Sequence, residues 1–344
     1  MTGDRHGYDV ERVEGVVEAW QGARILVAGD MMMDEYVYGT TDRVSREAPV
    51  IIVRYDGSEW SLGGAANAAR NVASMGGRAE AFGFAGKDER GLKMKALMKD
   101  AGIVISGMSF SARRTTVSKT RILAGDYHAQ RQQIARIDRE ERSAPGETGE
   151  RTLLERLSGR MDRAGAIILS DYGQGTLSRR MIRSVTVLAG RKGIPVIADS
   201  RFRLRDFRGV TTATPNEVEA AEAAGTGTGV PDGLEETGRR LLAAISSESL
   251  LITRGRYGMA LFRRGRRTML EDVVGSPEAT DVTGAGDTVV SAVALSLAAG
   301  ADMVTAMRIA NLAASVVVMK RGTAVASTAE IVSAARSASG TGGS

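Results

Sequence analysis

The sequence predicts an α/β fold: a mainly parallel sheet covered by helices on both faces, with a small β-sheet appended. Three observations carry that prediction. After Asp138 aliphatic strand-like runs and helical patterns alternate regularly, which favours parallel pairing. Residues 24–29 (RILVAG) form a continuous apolar run, as a strand buried on both faces requires. Residues 115–123 (TTVSKTRIL) instead alternate apolar with polar, the period of a half-exposed strand.

Along the chain, residues 24–29 are the first strand, with Asp30 and Asp34 just beyond its carboxyl end. Residues 50–55 (VIIVRY), 115–123 and 133–138 form a small sheet separate from the main one. Gly63 and Gly64 read as a turn feeding an Ala-rich helix through Ala73. Residues 166–169 are a strand followed by a helix over 178–189, and 195–198 a strand followed by a helical segment from Asn216. Residues 250–253 and 259–262 flank a Gly-punctuated turn, and two helices rich in small residues begin near Asp287 and Ala301. No repeat or long linker divides the chain. It is laid out as an extension over 1–23, one domain over 24–336, and a Ser/Gly-rich flexible tail over 337–344.

Composition narrows the chemistry. The 344 residues include 46 Lys and Arg against 41 Asp and Glu, a small excess for the length. With two Trp, seven Tyr and six Phe scattered along the chain, base-stacking platforms are poor, so no nucleic-acid partner is expected. The absence of cysteine removes disulfides, thiolate nucleophiles and Cys-bound metal, and fits a reducing cytoplasm. Charges interrupt the first twenty residues and no apolar stretch reaches about 20 residues, so neither a signal peptide nor a membrane partner is expected. His6 and His128 are the only histidines, too few for a multi-histidine metal site, and His128 reads as a loop residue.

The most informative segment is DVTGAGD, residues 281–287. Gly284, Ala285 and Gly286 precede an apolar helix, where backbone N–H groups and the helix dipole favour an anion. Asp287 places a carboxylate beside that cradle, suited to act as a base on a hydroxyl attacking phosphorus; a plain helix cap is the alternative. Neither a Walker loop nor a dinucleotide fingerprint is present, which argues against a nicotinamide oxidoreductase. Asp30, Asp34, Gly63, Gly64 and Asn67 can grip several hydroxyls of a polyol, or serve as turn and helix-start residues. Asn216 and Glu219 share a helix face, which suits either hydrated Mg²⁺ near phosphates or a capping box. The arginines of 201–208 read as a solvated loop, with phosphate binding as the alternative, and Met31–Met33 as core filler behind the site.

Together GGAAN (63–67), TPNEVE (214–219), TRGRYG (253–258) and DVTGAGD (281–287) resemble the ribokinase-like (PfkB) carbohydrate kinases. The likeness spans about Ile25 to Ile331. The stretch from Gly29 (GDMMMDEYVYGTTDRVSREAPVIIV), SDYGQGTL from Ser170 and the segment from Asp281 look most like the branch serving bacterial ADP-heptose biosynthesis, which phosphorylates D-glycero-β-D-manno-heptose 7-phosphate at its anomeric hydroxyl. The resemblance implies an ATP-dependent sugar kinase with Asp287 as catalytic base and an anion hole over Gly284, Ala285 and Gly286. It puts Asp30, Asp34, Arg43, Gly63, Gly64, Asn67 and Asp171 on the sugar, and Asn216, Glu219, Thr253, Gly255, Gly258 and Asn311 on ATP. It also makes the small sheet a lid over the sugar, drawn at about 36–55 and 113–138. Mg²⁺ would be held by Asn216 and Glu219 through water, and a monovalent cation such as K⁺ near Asp281 and Thr283. A sugar phosphate is the expected partner, and a second copy of the chain a candidate one. Ribose, fructose, another sugar phosphate or a nucleoside are the alternative acceptors, and a non-catalytic sugar-binding module the weaker rival. The branch usually has Lys where this chain has Gln174, and Asp-Pro-Lys where it has Asp199, Ser200 and Arg201. Thirteen residues follow Ile331, so a stand-alone kinase is expected. Arg43 and Arg46 are expected to reach the remote phosphate of the sugar.

Overall fold

The computed structural model describes residues 8–44, 49–125, 131–141, 145–227, 233–275, 279–320 and 322–340. Helix α1 is Val10–Glu18. The chain continues through β1 (Arg24–Gly29), β2 (Met31–Val44), β3 (Ile51–Gly64), α2 (Ala65–Ser74), β4 (Arg78–Phe82), β5 (Phe84–Gly86), α3 (Glu89–Asp100) and β6 (Ser109–Ser111). Next come β7 (Ser118–Gly125), β8 (Gln132–Arg139), α4 (Gly146–Ser158), β9 (Ala166–Asp171), α5 (Arg179–Arg191), β10 (Val196–Ser200), β11 (Thr212–Ala213), α6 (Glu217–Ala224) and α7 (Leu234–Ala244). The last elements are β12 (Ser249–Thr253), β13 (Met259–Arg263), β14 (Met269–Glu271), α8 (Ala285–Ala298), α9 (Met303–Val317) and α10 (Thr328–Gly340).

Five strands form the central sheet in the order β11-β10-β9-β1-β4, all parallel. It continues past β11, because Ser249 N–H donates to the Thr211 carbonyl (3.1 Å) and Thr253 N–H to that of Pro215 (2.9 Å), bringing in β12 and the antiparallel β13 and β14. Along β1 the side chains alternate between two cores. Ile25 and Val27 pack with α2, α8 and α9, whereas Leu26 and Ala28 pack with Met181, Phe207 and Phe262. Burial on both faces is what made the strand read as an uninterrupted apolar run. The small residues of α8 let it lie close on α2: the Ser291 hydroxyl reaches the Ala68 carbonyl at 3.0 Å.

The lid is a separate four-stranded sheet, β3-β2-β7-β8. It starts at Met31 rather than near 36, and residues 50–55 are only the first half of β3. Gly63 and Gly64, expected as a turn, end that strand instead. Pairing with Met32 and Met31 makes them the last residues of β3, and the chain turns straight into α2 at Gly64, whose φ is 55°.

Both chain ends differ from expectation. In place of an extension, α1 buries Val13 and Val17 in the core, followed by Trp20, each such apolar side chain contributing roughly 1.5–3 kcal/mol. Residues 337–340, expected in a flexible tail, complete α10, where the Ser339 hydroxyl donates to the Tyr8 carbonyl at 2.9 Å. Among the described residues no helix is long and apolar enough to cross a membrane. The Arg43 side chain, Arg46, His6, His128 and residues 341–344 lie outside the described residues.

Candidate active site

The carboxyl ends of β1 and β9, the lid and the amino end of α8 meet around Asp287. Gly284 caps α8 in the left-handed region (φ 80°), and a Cβ there would sit 2.9 Å from Asn67 Nδ2, so a glycine is required. Asp287, in the first turn, is 5 % exposed. Its Oδ2 accepts from Asn67 Nδ2 (2.8 Å) and its Oδ1 from the Tyr172 hydroxyl (3.1 Å). Burial pushes its pKa up from 3.8 to about 6; the two hydrogen bonds and Lys119 hold it down, while the charge of Asp34 pushes it further up. A carboxyl titrating there is ionised at neutral pH yet basic enough to take a proton. Burial and the neighbouring Asp287 raise the Tyr172 phenol, which keeps it a donor. Asn67 Oδ1 is buried with no hydrogen-bond partner among the described residues, an acceptor aimed into the same site.

The anion cradle is narrower than the sequence implied. The Ala285 amide turns back to the Val282 carbonyl (3.2 Å), because the left-handed Gly284 closes a tight turn. That removes Ala285 as a free donor. Gly286 and Asp287, in the same unfilled first turn, have no such turn partner.

On the lid side Asp34, 6 % exposed, pairs with Arg121 at 2.5 Å. A side chain at Gly63 would meet the Asp34 carboxylate at 2.6 Å, so glycine keeps this corner open. Two other carboxylates expected on the sugar are committed elsewhere. Asp30 accepts three backbone N–H groups, from Tyr172 (2.8 Å), Gln174 (3.0 Å) and Thr176 (3.1 Å), and so anchors the loop that carries Tyr172. Asp171 accepts from the Ser200 hydroxyl (2.8 Å) and pairs with Arg203 (2.6 Å). Both carboxylates thus tie together the loops and strand ends around the site.

On the opposite side Asn216 and Glu219 form the reciprocal capping box of α6: Glu219 N–H donates to Asn216 Oδ1 (2.9 Å), and Asn216 N–H to Glu219 Oε2 (3.0 Å). Burial raises the Glu219 pKa despite those bonds. Asp199 is also pushed up, by burial and by the charges of Asp287, Glu219 and Asp171. Asp199 thus lies within electrostatic reach of three other carboxylates, yet no group of three or more such side chains among the described residues is placed to hold a metal ion by itself. Thr253 ends β12; Gly255 and Gly258 make the next turn, and Gly258 has the Glu271 carbonyl where a Cβ would be. Asn311 is buried in α9 and donates to the Asp272 carbonyl at 2.7 Å. Asp281 accepts from the amides of Thr283 and Gly322, both at 2.9 Å, tying the loop before α8 to the turn after α9.

Beside this region a cleft of about 340 Å³ is lined by Arg179, Arg201, Arg203, Arg205, Phe202 and Glu219, among others. Arg179 pairs with Asp206, Arg203 with Asp171, and Arg205 donates to the carbonyls ending α6. Most of the arginine cluster is therefore structural. Sequence reasoning missed Tyr172, Lys119 and Arg121. The alternation S-K-T-R in β7 was the available signal, since it puts Lys119 and Arg121 on one face.

A buried carboxylate beside open helix amides, covered by a polar lid, defines a phosphotransferase acting on a sugar hydroxyl. Residues 23–330 match the pfkB family carbohydrate kinase profile, and the chain belongs to that family. It is 37% identical to the bifunctional protein HldE of Bradyrhizobium diazoefficiens, over 92% of this chain and 64% of that one. It is 40% identical to that of a Caulobacter species, over 91% and 63%. The chain thus spans under two thirds of the length of these relatives. By fold it is similar to Arabidopsis thaliana ribokinase complexed with ribose and ATP (TM-score 0.71, 19% identity, 92% and 99% of the two chains). It is likewise similar to Escherichia coli phosphofructokinase-2 in complex with potassium (TM-score 0.75, 19% identity, 93% and 99%).

Proposed function

We propose that this protein transfers the γ-phosphoryl group of ATP to the anomeric hydroxyl of D-glycero-β-D-manno-heptose 7-phosphate, giving the 1,7-bisphosphate. The observation that carries the reading is Asp287, held by Asn67 and Tyr172 between the α8 amides and the lid carboxylate Asp34. The close identity to the HldE proteins supports the heptose acceptor. Asp287 takes the proton of the sugar hydroxyl as its oxygen bonds to the γ-phosphorus; the bond to the β-phosphate oxygen breaks, and ADP leaves with that electron pair. The amides of Gly286 and Asp287 receive the charge on the transferring oxygens. Asp34, Gly63, Gly64 and Asn67 orient the sugar; Thr253, Gly255, Gly258 and Asn311 border the nucleotide.

Asp199, with Glu219 and Asp287 near it, fits a hydrated Mg²⁺, since a divalent charge would relieve a carboxyl whose pKa burial and the charges of Asp287, Glu219 and Asp171 now raise. When bound, Mg²⁺ neutralises phosphate charge. Asp281 orders its loop with both oxygens, so a K⁺ ion near Asp281 and Thr283 would rest on loop carbonyls.

An ADP-release screen over ribose, fructose, hexose phosphates, nucleosides, heptose and heptose 7-phosphate tests the acceptor. Heptose 7-phosphate is expected to give the highest kcat/KM. Faster turnover of ribose, fructose or a nucleoside would overturn the acceptor and leave the kinase assignment standing.

A further inference from the structure

The inner face of the lid carries an unusual charge arrangement. Strand alternation puts Lys119 and Arg121 of β7 on one side of the sheet, and register sets Asp34 and Tyr36 of β2 beside them. On the other flank the same register brings Asp138 and Arg136 of β8. Two of the three cations are matched. Arg121 pairs with Asp34 at 2.5 Å, and Arg136 makes a bidentate pair with Asp138 at 2.8 and 2.9 Å. Lys119 has no carboxylate partner among the described residues; its Nζ lies 5.3 Å from the centre of the Tyr172 ring. It is half-buried. Burial lowers its pKa, and Arg201, Arg121 and Arg136 lower it further against the pull of Asp34.

A half-buried ammonium near three guanidiniums, with no ion pair among the described residues and only the unbonded charges of Asp34 and Asp287 in its favour, gains from a further anion. Lys119 lies over the ring of the tyrosine whose hydroxyl bonds Asp287, on the lid and next to Asp34. Its place on lid strand β7, in register with Asp34, puts it on the side of the site assigned to the sugar. We propose that Lys119 is the anchor of an anion subsite for the acceptor's own phosphate, with Arg121 and Arg136 shaping the field around it. The assignment rests on the sugar-phosphate reading above. Arg43 and Arg46, the cationic contacts expected from the sequence, have side chains that lie outside the described residues.

The test compares wild type, Lys119→Met and Lys119→Arg with heptose 7-phosphate and heptose as acceptors, and with inorganic phosphate as a competitor of the acceptor. In Lys119→Met the kcat/KM preference for the phosphorylated sugar should fall by about 10- to 100-fold, and Lys119→Arg should recover most of it. Inhibition by inorganic phosphate should weaken in parallel. The melting temperature should not drop, since an unmatched charge is being removed. A preference within about threefold of wild type, or a loss confined to KM for ATP with both acceptors alike, overturns the subsite. If wild type itself favours the unphosphorylated sugar, the heptose-phosphate reading fails. The subsite then stands if phosphate inhibition disappears in Lys119→Met and falls if it persists.

Discussion

Two aspartates flank the left-handed Gly284, six residues apart, and the site treats them oppositely. Asp281, before the helix, accepts two backbone amides; Asp287, inside its first turn, accepts two side-chain donors. Burial fails to raise Asp281, which the Thr283 side chain and the Thr283 and Gly322 amides hold below the ordinary carboxylate value, while Asp287, with two side-chain donors, rises to about 6. Depth and the nearest charge decide: Asp287 is buried where Asp281 is half-exposed. The Arg121–Asp34 pair also acts on both, its cation lowering Asp281 and its anion raising Asp287. One ion pair therefore polarises the two sides of the helix start.

The comparison breaks most visibly at Asp287→Asn. Turnover should fall by at least ~10²-fold, with ATP affinity, measured by calorimetry, nearly intact. The same variant should be more stable at pH 8. The native pKa lies above the unfolded one, so the carboxyl's stabilising share is complete only below about pH 4 and is lost as pH rises through 6. A neutral amide escapes that loss, a gain of up to about 3 kcal/mol that denaturant titration should find at pH 8 and not at pH 4.

A smaller effect sharpens it. Tyr172→Phe removes a hydrogen bond that lowers the Asp287 pKa, so the acidic limb of the kcat/KM profile, near pH 6 in the wild type, should move up by roughly one unit. An unmoved limb would mean that another group sets it. The smallest is Asp281→Asn: because Asp281 is ionised well below the working range, that limb should stay in place, with turnover reduced less than about tenfold through a looser loop.

What the sequence disclosed follows the range of the interactions. The buried β1, the alternation in β7 and the helix starts at Asn216 and Gly284 are written in neighbouring residues, and so is the capping box weighed as one reading of TPNEVE. Asp30 and Asp34 looked alike because what separates them lies far away: three amides at 172–176 for one, Arg121 for the other. Gly63 and Gly64 become strand only by pairing with Met32 and Met31. Lys119 stands out only once the carboxylates around its neighbours are counted. The chain ends were misjudged for a similar reason, since α1 and α10 join through contacts such as Arg336 with Glu14, 322 residues apart in sequence.

β1 ends at Gly29 and β2 begins at Met31, so at this crossing a single residue separates the central sheet from the lid. That residue is Asp30, gripped through three amides to the loop bearing Tyr172. In mechanical terms the lid is a cantilever whose root is clamped to the same bracket that aims a tyrosine at the base. Any displacement at that root would pass through the loop to Tyr172 and, through its hydroxyl, to Asp287, so the seating of the lid and the aim of the proton acceptor are set by one joint.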